Sequence, residues 1–211
     1  MNVQMIKCGR PRKGEELQSR DRLLDSAFKL FLEYGYGNLS LETIARDAHV
    51  SMRTIYSQFG GKAGLFGAVI KRCSDPLVTI LSDENVMEEK PEEALVTFAK
   101  QFLYSITRPD AVRIRAMLIG ESLHFPDLAT QFYEQGPQRT LDHLAQFFLR
   151  RQRAGHFSAI DPPVLADQFL SALRGERYQK LQLGLLPPPD EVEIEAWARQ
   201  TTSLFLHGCL G

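Results

Sequence analysis

The 211 residues suffice to bury a core in one large domain or two small ones, and 44% hydrophobic with 24% charged residues is the composition of a soluble globular protein. The net charge of −1 hides a division, because residues 1–72 hold 12 Lys/Arg against 7 Asp/Glu while the rest hold 13 against 19. No apolar run reaches the roughly 18 residues of a membrane span, no signal-peptide core is present, and the isolated Cys8, Cys73 and Cys209 argue against a disulfide framework or a zinc site and for a cytoplasmic protein.

Helical periodicity runs through nearly the whole chain, and strand signals are almost absent. Leu24, Phe28, Phe31 and Tyr34 fall on one face of a helix over residues 20–34, which Gly35 stops. Ser40 reads as the N-cap of a second helix reaching Ala48, with Glu42 in its first turn. After the tight turn His49-Val50-Ser51, Ser51 caps a third helix to Phe59. Gly60-Gly61 ends it, and a fourth starts near Lys62 and kinks at Pro76. Residues 82–90 read as a polar linker. Further helices are expected over residues 91–108, 110–123, 126–153 with a kink at Gly136-Pro137, 162–184 and 190–207. The fold class is all-α, with about nine helices.

The second and third helices form a helix-turn-helix, in which the small Ala45 permits close crossing. At 100° per residue, Met52, Ile55, Tyr56 and Phe59 gather on one side of residues 52–59, and Arg53, Thr54, Ser57 and Gln58 on the other. That polar side reads two ways, as a solvated face of a bundle helix or as a ridge for a DNA major groove. On the second reading Arg53, Thr54 and Gln58 meet base edges. Tyr56 and Lys62 meet phosphates, with Ser40 and Thr43 as a second clamp on the DNA backbone.

The stretch GYGNLSLETIARDAHVSMRTIYSQFGGKAGLF, residues 35–66, resembles the DNA-binding domain of the tetracycline-repressor (TetR) family of bacterial regulators. Gly35-Tyr36, Ser40, Ile44-Ala45, Ala48, Val50-Ser51, Thr54, Tyr56, Phe59, Lys62 and Leu65-Phe66 carry that resemblance. Three positions depart from the family pattern. His49 replaces the turn glycine and tolerates positive φ. Leu39 stands where Thr is common, and Gln58 where His or Arg is frequent. The resemblance implies a basic arm over residues 1–18, a DNA-binding domain over 19–66 and a ligand-binding and dimerisation domain over 67–211. The run KCGRPRK, residues 7–13, is either a minor-groove arm or a solvated tail.

Residues 91–207 hold no catalytic or metal-ligating constellation, and the histidines there lack ligand spacing, so neither an enzyme nor a bound cofactor is expected. Residues 120–137 resemble, more loosely, regulators of the AcrR/AefR type. The family resemblance implies a small-molecule pocket. Its apolar and aromatic candidates are Phe98, Phe102, Met117, Phe125, Phe132 and Phe147, joined by Glu121 and His124, and each reads equally as core packing. It also implies a homodimer through the last two helices, with Phe169, Leu173, Tyr178, Trp197, Thr201 and Leu204 as interface candidates. The expected function is a repressor released from a palindromic operator by a small molecule. The alternatives are control by a protein partner and a role as activator.

Overall fold

The computed structural model describes residues 13–83, 86 and 88–207. The basic run of the expected arm, residues 7–12, lies outside the described residues. All regular structure among the described residues is helical. The helices are α1 (Lys13–Tyr34), α2 (Leu41–Asp47), α3 (Met52–Phe59), α4 (Lys62–Ser82), α5 (Pro91–Thr107), α6 (Pro109–Glu121), α7 (Pro126–Tyr133), α8 (Arg139–Arg153), α9 (Pro162–Arg174), α10 (Glu176–Gln182) and α11 (Glu191–His207).

The departures from the expected boundaries have local causes. Helix α1 begins at Lys13 rather than near residue 20, while α4 starts at Lys62 as expected and runs to Ser82 with Pro76 inside it. The expected kink at Gly136-Pro137 is a π-helical turn, Glu134–Gln138, because Pro137 has no N–H with which to continue an α-helical ladder. The Gln135 carbonyl there is satisfied from outside, accepting from Ser74 Oγ at 2.8 Å and Arg139 Nη1 at 3.4 Å. Residues 162–184 divide at Gly175 into α9 and α10. The segment expected to be a polar linker is anchored: Val86 is buried, and the buried Arg151 of α8 donates to the carbonyls of Val86 and Glu89.

Two apolar cores share α4. The first gathers α1–α4 around Phe31, Phe66 and Tyr36, with the Phe31 and Phe66 rings edge-on at 5.2 Å. Each fully buried side chain of this size contributes about 1.5–3 kcal/mol. Ile114 and Leu118 of α6 and Leu128 of α7 complete this core from the far side. The second core packs the end of α4 (Leu77, Leu81) with α5 and α8–α11, around Phe98, Phe147, Phe148 and Phe169. Thus α4 serves one core at each end, and α6 and α7 close the joint between them.

Candidate functional site

Local chemistry sets the short helices. Ser40 Oγ and Ser51 Oγ each accept an N–H of the first turn, from Thr43 and Thr54, both at 3.1 Å. These are the caps the sequence leads one to expect, each able to contribute about 1 kcal/mol. Helix α2 ends in a Schellman pattern, with Val50 N–H donating to Ala45 O at 3.0 Å and His49 N–H to Arg46 O at 3.3 Å. His49 adopts φ 53°, the left-handed turn conformation expected of it. Gly64 allows α4 to pass against the end of α3, since a Cβ there would lie 1.8 Å from the Phe59 carbonyl oxygen.

Ile55 is buried, and Met52 and Phe59 are half-buried against the first core. Arg53, Ser57 and Gln58 are exposed. Tyr56 departs from the helical plot, which put it on the apolar side: it is 56% exposed and joins the polar ridge. Arg53 and Gln58 have no hydrogen bond or ion pair among the described residues. The hydroxyls of Ser51 and Thr54 lie 2.8 Å apart and partly satisfy each other, while Ser57 Oγ donates to Thr54 O. Ser40 and Thr43 form the equivalent pair at the start of α2, 3.0 Å apart. The spare hydrogen-bonding capacity of this surface therefore rests chiefly on Arg53, Gln58 and Tyr56.

Lys62 opens α4 with its ammonium 4.5 Å from the Tyr36 ring centroid. Burial lowers its pKa, and the nearby Glu121 carboxylate works in the opposite sense. Glu121, at the end of α6, accepts the backbone N–H of Tyr36 at 3.0 Å and also that of Gly37. It thereby ties α6 to the turn that precedes α2. Gly35 is required in that turn, at φ 78°, and a Cβ on it would approach Glu121 Oε1 to 2.7 Å. Phe125 stacks edge-on to Tyr36 at 5.2 Å, and Arg113 donates to Leu32 O at 2.9 Å.

A cavity of about 430 Å³ lies between the two cores, with walls from α1, α4–α6, α7, the π-helical turn and α8–α10. Of the eight pocket candidates, Phe102 and Phe132 line it. Phe98 and Phe147 are fully buried in the second core, and His124 is exposed. Met117 packs against the first core, and Glu121 and Phe125 belong to the joint with the helix-turn-helix. The wall also holds Arg72, Arg108, Arg115 and Arg174, which helical periodicity does not single out. Among the dimer candidates, Phe169, Leu173 and Trp197 turn into the protomer's own core, and Tyr178, equally buried, lines the cavity. Thr201 is half-buried, and Leu204 is 70% exposed.

Residues 93–208 match the family model of the AefR-like transcriptional repressor, C-terminal domain, and residues 23–69 that of the bacterial regulatory proteins, tetR family. The biofilm operon negative transcriptional regulator IcaR of Staphylococcus aureus strain Newman is 28% identical over 87 residues, 41% of this chain and 47% of IcaR. The matches to the leading curated relatives span less than half of the relatives' own length. The flavonoid-responsive regulator FrrA is 33% identical, with a TM-score of 0.65 over 90% of this chain and 96% of that one. A structure assigned to the TetR-family regulators, from Mesorhizobium loti MAFF303099, shares the fold: TM-score 0.76 at 22% identity, over 90% of this chain and 96% of the other.

Proposed function

We propose a function from one premise: the chain belongs to the tetR family of bacterial regulatory proteins. It is a DNA-binding transcriptional regulator. It acts in the cytoplasm as a repressor rather than as an enzyme, two copies gripping a palindromic operator until a small molecule enters the cavity of each. The observation that carries this reading is the ridge of α3. Arg53, Tyr56 and Gln58 are exposed and unpaired there, on a helix held from behind by Met52, Ile55 and Phe59. A major groove about 12 Å wide admits one such helix. Arg53 suits guanine or phosphate, Gln58 suits adenine, and Lys62 adds charge at a helix N-terminus. Ser40 and Thr43 present the start of α2 to the DNA backbone, and Ser51, Thr54 and Ser57 line the flank of α3.

One α3 reads only a few base pairs, so a two-fold pair supplies the missing specificity. The faces supporting that pairing are the outward sides of α9 and α11. There Val164, Val192 and Leu204 remain 48%, 77% and 70% exposed, and the small Ser171 and Ala172 are exposed too.

Ligand control needs different affinities for two conformers. Helix α1, with Asp25 and Phe28 on the wall and Ser26 donating to Asp47 of α2, touches both the cavity and the helix-turn-helix, and two further helices do so from the body side. Helix α4 carries Lys62 at one end and Cys73, Pro76 and Leu77 on the cavity wall. Helix α6 carries Ile114 and Arg115 on the wall and Glu121 on the turn before α2. A ligand that shifts either helix moves α3 and alters the spacing between paired recognition helices.

Selection of bound DNA from a random pool, followed by anisotropy titration and sedimentation velocity, tests the reading. The expected product is a palindrome with half-sites about 34 Å apart or a multiple of that, bound by two protomers. A monomer at micromolar concentration that enriches no sequence would sink it.

A further inference from the structure

Four arginines and two aspartates stand on the cavity wall. Two of the arginines are neutralised there: Arg72 pairs with Asp25 at 2.7 Å, and Arg108 pairs with Asp110. Arg115 of α6 and Arg174 of α9 have no ion-pair partner among the described residues, and the Arg115 Nε is buried without an acceptor. The Arg174 guanidinium lies over the Phe102 ring, 5.3 Å from its centroid. Tyr178 of α10 is buried beside them. Its hydroxyl oxygen accepts from Gln182 Nε2 at 3.2 Å, which leaves the phenolic proton free to be donated.

Such an arrangement is costly when empty. A half-buried guanidinium loses part of its hydration, and the two repel. The electrostatics agree: burial lowers the Arg174 pKa and the Arg115 charge lowers it further, outweighing the opposing pull of Tyr178, Asp167 and Tyr133. Burial raises the Tyr178 pKa, while the two guanidiniums pull it back. Arginine does not escape by losing its proton. An anion that enters the cavity would supply the missing countercharge, and the planar guanidinium fork matches a carboxylate in two parallel hydrogen bonds. Beyond the charged end the wall is apolar, with Phe28, Leu77 and Phe132.

We propose that the cavity binds an organic carboxylate, its head held by Arg115 and Arg174 with Tyr178 donating to it, and its aromatic or aliphatic body lying against Phe28, Phe102 and Phe132. This names the chemical class of the effector, and it rests on the reading of the cavity as the effector site. A volume of about 430 Å³ is in the range of pockets that enclose a drug-sized molecule.

Isothermal titration of the full chain with 2-naphthoate and decanoate, beside their primary amides and the uncharged flavonoid naringenin, tests the assignment. The acids bind at least about tenfold more tightly than the amides, and they alone release the selected operator. Arg115→Gln and Arg174→Gln each weaken the acids about ten- to a hundredfold, the loss of a charge-assisted hydrogen bond, and leave the amides unchanged. Arg174→Lys restores part of the loss. If a Gln variant fails to fold by circular dichroism, the acid and amide pairs on the unaltered protein decide alone. Equal binding of acids, amides and naringenin overturns the anion assignment, as does an equal weakening of both classes in the variants. Operator release by amides or naringenin as readily as by acids overturns it too, while leaving an effector site in place. Tight, arginine-dependent acid binding that leaves operator affinity unchanged keeps the carboxylate site and removes its effector role.

Discussion

The helix-turn-helix and the helical body leave their spare polar groups in opposite places. In the first, Arg53, Tyr56 and Gln58 face solvent from a short helix whose apolar side is pinned. In the second, Arg115 and Arg174 line the half-open cavity between the cores. An outward ridge suits a ligand larger than the protein, because charges on the surface are met without moving the core. An inward pair suits a ligand smaller than the protein, which must be enclosed, and enclosure repacks the wall. Glu121, which accepts from Tyr36 and Gly37, sits on the seam between the two halves.

Substitutions that damage one half and spare the other break this comparison most directly. Gly64→Ala places a Cβ where the Phe59 carbonyl stands, so α3 must move off α4. Overpacking of this kind costs about 1–3 kcal/mol, and operator binding by gel shift is abolished while naphthoate titration of the body is unchanged. Loss of both activities would show that the halves fold as one unit. Arg53→Ala removes an exposed, unpaired cation. It lowers operator affinity by about 1–3 kcal/mol per half-site in anisotropy titrations, with no change in melting temperature, and a drop in stability would count against its place on the ridge.

Glu121→Gln sharpens the comparison at the seam. A neutral amide accepts from two N–H groups less strongly than a carboxylate, so stability falls by about 1 kcal/mol in denaturant melts. The informative readout is the coupling: ligand affinity stays, and ligand-driven release of DNA weakens. Full release in this variant would take the lever away from α6 and leave it to α4 or α1. The smallest effect lies wholly within the body. Desolvation raises the Asp75 pKa, but hydrogen bonds from Arg139 and Lys71 outweigh it and hold the carboxyl below the ordinary 3.8. A depressed folded-state value makes the contribution complete above pH 3.8 and lost as pH falls through the lower folded value. Asp75→Asn, removing a half-exposed pair, costs at most about 1 kcal/mol at pH 7. Its melting curve merges with that of the parent protein in acid.

How much of this could be read beforehand follows from the range of the interactions. Ser40, Ser51, His49 and the Gly60 stop act within a few residues, so their roles were legible in chain order. Tyr56 was misplaced by periodicity because α3 is short and only Met52, Ile55 and Phe59 find apolar partners. In the body the same logic weakens. Phe98, Phe102, Phe132 and Phe147 look alike as aromatic residues on amphipathic helices, yet only Phe102 and Phe132 face the cavity. Phe169, Leu173 and Trp197, candidates for the dimer interface, are buried in the protomer's own second core, while Val164, Val192 and Leu204 are exposed. Arg115 and Arg174 carried no signal, since an arginine on a helix is ordinarily a solvated charge.

The sequence by itself determined the all-helical class, the caps and turn of the helix-turn-helix and the identity of its polar ridge, because these depend on neighbours in the chain and on one amphipathic face at a time. Only the tertiary structure decided which side of each body helix meets the second core, which meets the cavity and which stays exposed. Those helices bury residues on several faces at once, so periodicity marks that a side chain is enclosed without saying by what. Only packing brought two unpaired arginines, 59 positions apart in the numbering, to the same wall.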